Sequence, residues 1–381
     1  MLVPAYPIAQ ELATSIHPHL ERHRAAAARS GREFAPMPGG EVMAAIVDAA
    51  FWASLRNEEG FLPRISLAFL PPDGSVNPLL FARALPLEPE ALTRLAPAVE
   101  RAGIHLGVWS NSHELQIWGT SRSLPPYCFV LEVVSPGVLV LKHSPGEDSG
   151  KFANIAVLEG NKIKILAQHS GVPAGTAGNC ADHLNTLLEA GAAAQPDSAG
   201  NVLLQLAVSM RAHRRGGTLV VVPDRSEAWR DSIHSVSYPV DPPLAELTEL
   251  MSCAPLERTK WRWQQALRRA VDAMAGLTAV DGATVITADY RVLAFGAKIR
   301  RCAGRPPVEK VLLSEPVENS MAEIIEPAQL GGTRHLSAAQ FAQDQRDAFT
   351  LVASQDGRFT LLAWSNCDEI VHAHRIETLL M

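Results

Sequence analysis

The stretch from Val280 to Gly296, VDGATVITADYRVLAFG, decides the fold. Ala283 to Ala288 and Arg291 to Phe295 are short apolar runs of strand length. Asp289-Tyr290 separates them, so the stretch predicts a hairpin. Just upstream, Glu257 to Ala275 places Trp263, Leu267, Ala270, Val271 and Met274 on one helical face. Arg262, Arg268, Arg269 and Asp272 fall away from it. Pro255 precedes this helix and Gly276 is placed to stop it. Further out, Val202 to Arg214 reads as a helix and Thr218 to Val222 (TLVVV) as a compact buried strand. Phe349 to Ala353 and Phe359 to Trp364 pair around Asp356-Gly357. Helices alternating with strands in this way predict an α/β layer architecture built on a mixed sheet.

The N-terminal half reads differently. Two helices, at about Gly40 to Leu55 and Pro89 to Ala102, stand among short strands. Arg64 to Leu70, His113 to Trp118 and Gly137 to His143 are alternating or continuous apolar runs. Ile155 to Leu158 and Lys162 to Leu166 flank Gly160-Asn161, a hairpin turn. This half predicts an α+β domain over residues 1–167. Gln168 to Gly178 (QHSGVPAGTAG) and Gly191 to Gly200 (GAAAQPDSAG) have linker composition. Asn179 to Ala190 between them reads as a short helix. The expected linker is 168–198 and the second domain 199–381. No internal repeat is legible.

Composition narrows the function. A chain of 381 residues, 47% hydrophobic and 19% charged, can bury two cores and is not intrinsically disordered. With 34 Lys+Arg against 40 Asp+Glu, the charge of −6 offers no grip on nucleic acid. The five cysteines are scattered singly, which fits a reducing cytoplasm rather than a disulfide scaffold. No run approaches the roughly 18 apolar residues of a membrane span, and the N-terminus lacks the pattern of a signal peptide. The expectation is a cytoplasmic protein without membrane or nucleic-acid partners.

Several tempting signals fail. Gly146 to Phe152 (GEDSGKF) is one residue short of a phosphate loop, and Phe152 stands where a hydroxyl must reach the metal. His17, His19 and His23 lack a carboxylate or thiol at ligand spacing, and Cys180 with His183 reads as helix packing. Trp109, Trp118 and Tyr127 read as aromatic core. Two segments remain. Asp281-Gly282-Ala283 puts a carboxylate and a flexible backbone immediately before a strand, although alone Asp-Gly is turn chemistry. Gly331-Gly332-Thr333-Arg334-His335 offers bare backbone N–H groups, a hydroxyl, a planar cation and an imidazole. Those are the parts of a phosphate cradle, although alone they also suit an exposed loop.

In this order and frame, the two segments resemble the diadenylate cyclase domain. The matches are Gly217 to Val221, then Asp281-Gly282-Ala283, the hairpin ending in Ala294-Phe295-Gly296, Gly332-Thr333-Arg334-His335, Asp347-Ala348 and Ser354. They cover about residues 199 to 377. The N-terminal part more faintly resembles sensor domains that precede such cyclases. The resemblance implies condensation of two ATP molecules to cyclic di-AMP with release of two pyrophosphates. It implies Mg²⁺ or Mn²⁺ on Asp281, a triphosphate held by Arg334 and His335, and a closing shell of Gly282, Ala283, Gly296, Gly332, Thr333 and Ser354. It also implies a homodimer or higher oligomer with facing cyclase domains, and an unknown ligand for the N-terminal domain. Leu336 replaces the motif's second arginine, Gln355 a usual metal-binding glutamate, and residues 298 to 330 form a longer connection. These departures leave open a degenerate domain that binds a nucleotide without joining two.

Overall fold

The computed structural model describes residues 5–28, 34–57, 60–111, 114–144, 152–166, 202–318 and 320–381. The expected linker, its helix with Cys180 and His183, and most of Gly146 to Phe152 lie outside them. The chain divides into two compact units, residues 1–166 with Met381, and residues 167–380. Both are α/β, each with one mixed sheet.

Unit one opens with α1 (Pro7–Ala28) and α2 (Gly40–Ser54). Strands β1 (Ile65–Phe69) and β2 (Leu79–Pro86) follow, then α3 (Pro89–Val99). The remaining strands are β3 (His105–Asn111), β4 (Glu114–Ser121), β5 (Phe129–Ser135), β6 (Val138–His143), β7 (Ala153–Glu159) and β8 (Lys162–Ile165). Their order is β2-β4-β3-β1-β5-β6-β7-β8. One sheet face presents Leu67, Leu106, Ile117 and Leu131 to Leu12, Ile46 and Leu92 of the helices. On the other face, Trp118 is buried with Ala68 and Val130 and donates its indole N–H to the Leu70 carbonyl, 2.8 Å away. The expected aromatic packing is what is seen there.

Unit two begins with α4 (Val202–Ala212), β9 (Gly217–Val222) and β10 (Ile233–Leu244). Helices α5 (Glu246–Ser252), α6 (Pro255–Arg258) and α7 (Trp261–Leu277) lead into β11 (Ala283–Thr287) and β12 (Val292–Ile299). Then come β13 (Val311–Ser314), β14 (Glu323–Ile325), α8 (Thr333–Asp344), β15 (Phe349–Ala353), β16 (Phe359–Ser365) and β17 (Ile370–Arg375). The order is β10-β12-β11-β9-β15-β16-β17-β13-β14. One face packs on Leu206, Leu267 and Met274 of α4 and α7, and the other on Ala338, Phe341 and Ala342 of α8. Burial on both faces explains why β9, β11, β15 and β16 read as continuous apolar runs.

Two sequence expectations need correcting. The helix expected over Glu257 to Ala275 is interrupted. Arg258 donates its Nε–H to the Cys253 carbonyl at 2.8 Å, closing a separate turn before Trp261 starts α7. Gly276 does not stop it either: α7 ends at Leu277, and the Thr278 backbone N–H caps it on Ala275 and Gly276 carbonyls. The second correction is larger, because a repeat exists in the topology. In unit one, β1 pairs parallel with β3 and antiparallel with β5; β4 joins β3, β2 joins β4, and β6 and β7 continue from β5, all antiparallel. In unit two, β9, β11, β15, β12, β10, β16 and β17 make the same seven-strand pattern with the same senses. Helices occupy matching places, α2 and α4 before the first strand, α3 and α7 before the third. The units differ between the fourth and fifth strands of the pattern. Unit one crosses there in residues 122–128, whereas unit two inserts β13, β14 and α8.

Candidate functional site

The insertion carries the second motif, and the sheet brings it to the first. Asp281 ends the turn before β11, its carboxylate 90% exposed. Lys298 Nζ lies 2.6 Å from Asp281 Oδ2. That hydrogen bond and the Lys298 charge hold the Asp281 carboxyl below its ordinary range, with a further contribution from Arg334. The carboxylate is therefore ionised at neutral pH and lies within the field of the second motif.

Gly282 has φ +120°, and a Cβ there would lie 2.5 Å from the Gly296 carbonyl carbon. Only glycine permits this close approach, which seats the start of β11 against β12. Ala283 is buried and pairs with Thr218 and Ala297. Gly296 itself lies against Tyr238, whose ring stacks on Phe295 with centroids 4.7 Å apart. Tyr238 is 51% exposed.

Gly331-Gly332-Thr333-Arg334-His335 is not a loop. Gly332 is the N-cap of α8 and Thr333 its first residue. No side chain caps this end, so the N–H groups of Thr333 and Arg334 remain available, with the positive pole of a 12-residue helix behind them. Arg334 lies over Gly216: a Cβ on Gly216 would be 3.0 Å from Arg334 Nη1 and 3.3 Å from the Ala353 carbonyl. Ser354 follows directly. Its N–H donates to the Arg358 carbonyl, 2.9 Å away, and its hydroxyl donates to Asp356.

The structure thus brings Asp281, Gly282, Gly296, Gly332, Thr333, Arg334 and Ser354 to one end of the sheet. His335 is set apart. Its ring is 2% exposed, Nε2 lies 3.3 Å from Thr360 Oγ1, and a Cβ on Gly331 would be 2.5 Å from its Nδ1. Burial lowers the His335 pKa and keeps the ring neutral. It braces the first turn of α8 from beneath, where the sequence reading has it holding phosphate. Of the departures, Leu336 is 45% exposed, and Gln355 Nε2 donates to the Arg215 carbonyl at 3.3 Å. Sequence reasoning missed Lys298 and Tyr238. The first stands two residues beyond the quoted hairpin, and the second sits among prolines, which carry no strand signal.

Among the described residues, no group of three or more His, Cys, Asp or Glu side chains could hold a metal ion. Asp281 alone meets the smallest requirement of a hard divalent cation that keeps waters and substrate oxygens as its other ligands. The residues fit an ion that arrives with a triphosphate.

Comparisons with known proteins reach the other unit. Residues 32–122 match the family described as "Probable sensor domain DACNV". No curated protein matches the chain. Solved structures similar to it include a hypothetical membrane spanning protein from Bacillus cereus, at 14% identity and a TM-score of 0.27. That match covers 46% of this chain and 63% of the other, so the chain spans under two thirds of it. DacA from Staphylococcus aureus is similar at 13% identity and a TM-score of 0.24, over 51% of this chain and 88% of that one. Among the described residues, no helix is long and apolar enough to cross a membrane.

Proposed function

We propose that unit two is a nucleotidyltransferase that joins two ATP molecules into cyclic di-AMP, and that unit one regulates it. One observation carries this reading: an ionised carboxylate, a guanidinium and an uncapped helix N-terminus converge at one end of β9 and β11. A triphosphate needs those groups and little else, because phosphoryl transfer depends on positioning and charge. The N–H groups of Thr333 and Arg334 at the start of α8 and the Arg334 guanidinium bind its oxygens. Mg²⁺ or Mn²⁺ bound at Asp281 would neutralise phosphate charge and acidify the attacking hydroxyl.

The 3′-oxygen of one ATP forms a bond to the α-phosphorus of the other. The bond from that phosphorus to the bridging oxygen breaks, and pyrophosphate leaves with the electron pair. Asp281 would accept a hydrogen bond from the attacking hydroxyl, whose proton passes to solvent. One unit has one such end, so the second ATP comes from a facing copy of the chain. The regulatory role of unit one is supported by its sensor-domain match and by its lack of any counterpart to α8.

A nucleotide-binding module without synthesis is the second reading. The pairing of Lys298 with Asp281 favours it. Asp281→Asn separates the two. On the cyclase reading it abolishes cyclic di-AMP while ATP still protects the fold against heat. Synthesis retained in that variant overturns the assignment.

A further inference from the structure

Unit two has a cavity of about 360 Å³ at the opposite end of its sheet. Its walls are the chain leaving β9, the chain entering β15 and the C-terminal end of α8. In α/β sheets, crevices beyond the carboxyl ends of parallel strands are where ligands bind. Helix α8 separates this cavity from the Gly332 end by about 18 Å, so the two are distinct.

The charged lining is two arginines and two aspartates. Trp229 is 1% exposed, yet its Nε1–H has no partner. The N–H itself is closed to solvent, so the ring stands in the cavity wall and senses what binds beside it. Arg305 and Arg346 face the same space. Arg346 lies over the Trp364 ring at 4.1 Å, which fixes its plane. Of the two lining carboxylates near them, Asp344 is already satisfied, accepting from the Cys302 N–H at 2.8 Å and from Gln340 Nε2 at 3.0 Å. Asp347 remains as an acceptor. The segment that brings Arg305 is the long connection after β12. It is tied down, for the Val308 N–H donates to Gln340 Oε1 at 2.8 Å and Gln340 Nε2 donates to the Pro306 carbonyl at 3.2 Å.

We infer that this cavity is a second ligand site, for a small phosphomonoester. Two guanidinium forks suit a phosphate group, which Arg binds bidentately. The volume exceeds what free phosphate fills, and Asp347 accepts from hydroxyls on the remainder. The inference is independent of the cyclase reading, since it uses none of the groups around Asp281.

The test uses full-length protein labelled with ¹⁵N-tryptophan, in which Trp229→Phe assigns the Trp229 indole resonance. Ribose 5-phosphate shifts that resonance saturably, inorganic phosphate does so more weakly, and ribose has no effect. Arg305→Ala and Arg346→Ala each weaken binding about tenfold. Both arginines are exposed, so these variants fold. In parallel, ribose 5-phosphate raises the melting temperature of the native chain and not of the double arginine variant. A Trp229 resonance that stays still at 10 mM ligand, about the weakest affinity worth the name, overturns the inference. So does a shift or a thermal gain unchanged in the double variant.

Discussion

Arg334 is the side chain whose loss separates binding from architecture. It hangs over Gly216 without a hydrogen bond that fixes the fold, so Arg334→Ala leaves thermal stability close to native. A charge-assisted contact to phosphate is worth about 1.5–3 kcal/mol. The KM for ATP therefore rises about ten- to a hundredfold, read from initial rates of pyrophosphate release. Tyr238 acts at the other side of Gly282. On the proposed reading its exposed ring, held by Phe295, would stack a purine, and base stacking is worth about 1–3 kcal/mol per aromatic ring. Tyr238→Ala raises the KM for ATP with kcat little changed, and Tyr238→Phe restores it. An unchanged KM in the alanine variant removes Tyr238 from the site. Asp281 and Arg334 stand out in the sequence only together, as two glycine-marked segments in one frame of strands, because either segment alone reads as a turn or an exposed loop. The buried position of His335 was not, since a motif gives the order of side chains and not which way helix α8 turns them.

At the scale of elements, β11 depends on one conformation. Gly282→Ala forces a side chain into φ +120° and against the Gly296 backbone. Strain of this kind costs about 1–3 kcal/mol before the clash is counted. Denaturant unfolding should show at least that loss, and a native midpoint would contradict the packing of β11 on β12. The strands buried on both faces were legible because unbroken apolar runs of five or six residues have few other readings. Edge strands were not. Strand β10 contains Pro239, Pro242 and Pro243, which argue against a strand yet are tolerated where one side of the ladder is unpaired. Strand β3 hides behind Gly107 and a buried His105, whose ring lies 2.7 Å from Ser66 Oγ. The start of α8 reads as a loop because two glycines precede it, although they form its cap.

At the scale of the molecule, the two units are variations on one topology. Both build the same seven-strand pattern, and unit two alone inserts the helix that could hold phosphate. Sequence patterning could not show this repeat, because pairing order lies in contacts between distant strands. The buried histidines of both units also make stability depend on pH. Burial lowers His374 to about 3 and His105 to about 4. The unfolded chain, with its histidines near 6.5, then binds protons that the native state refuses. Stability is complete above about pH 7 and falls on acidification through 6.5. The loss at pH 5 is about 2 kcal/mol for each such group. Flat denaturation midpoints from pH 7 to 5 would contradict these environments. A reaction that needs two facing copies also gives a specific activity that rises with protein concentration until dimers saturate. Specific activity constant under dilution to nanomolar levels would place both nucleotides in one chain.

The central claim is tested most directly by incubating the purified full-length protein with ATP and Mg²⁺, and separately Mn²⁺, and resolving the nucleotides by mass spectrometry. The account predicts cyclic di-AMP and two equivalents of pyrophosphate, absent with Asp281→Asn. Unreacted ATP with both metals, at protein concentrations where dimers are demonstrated, would contradict it.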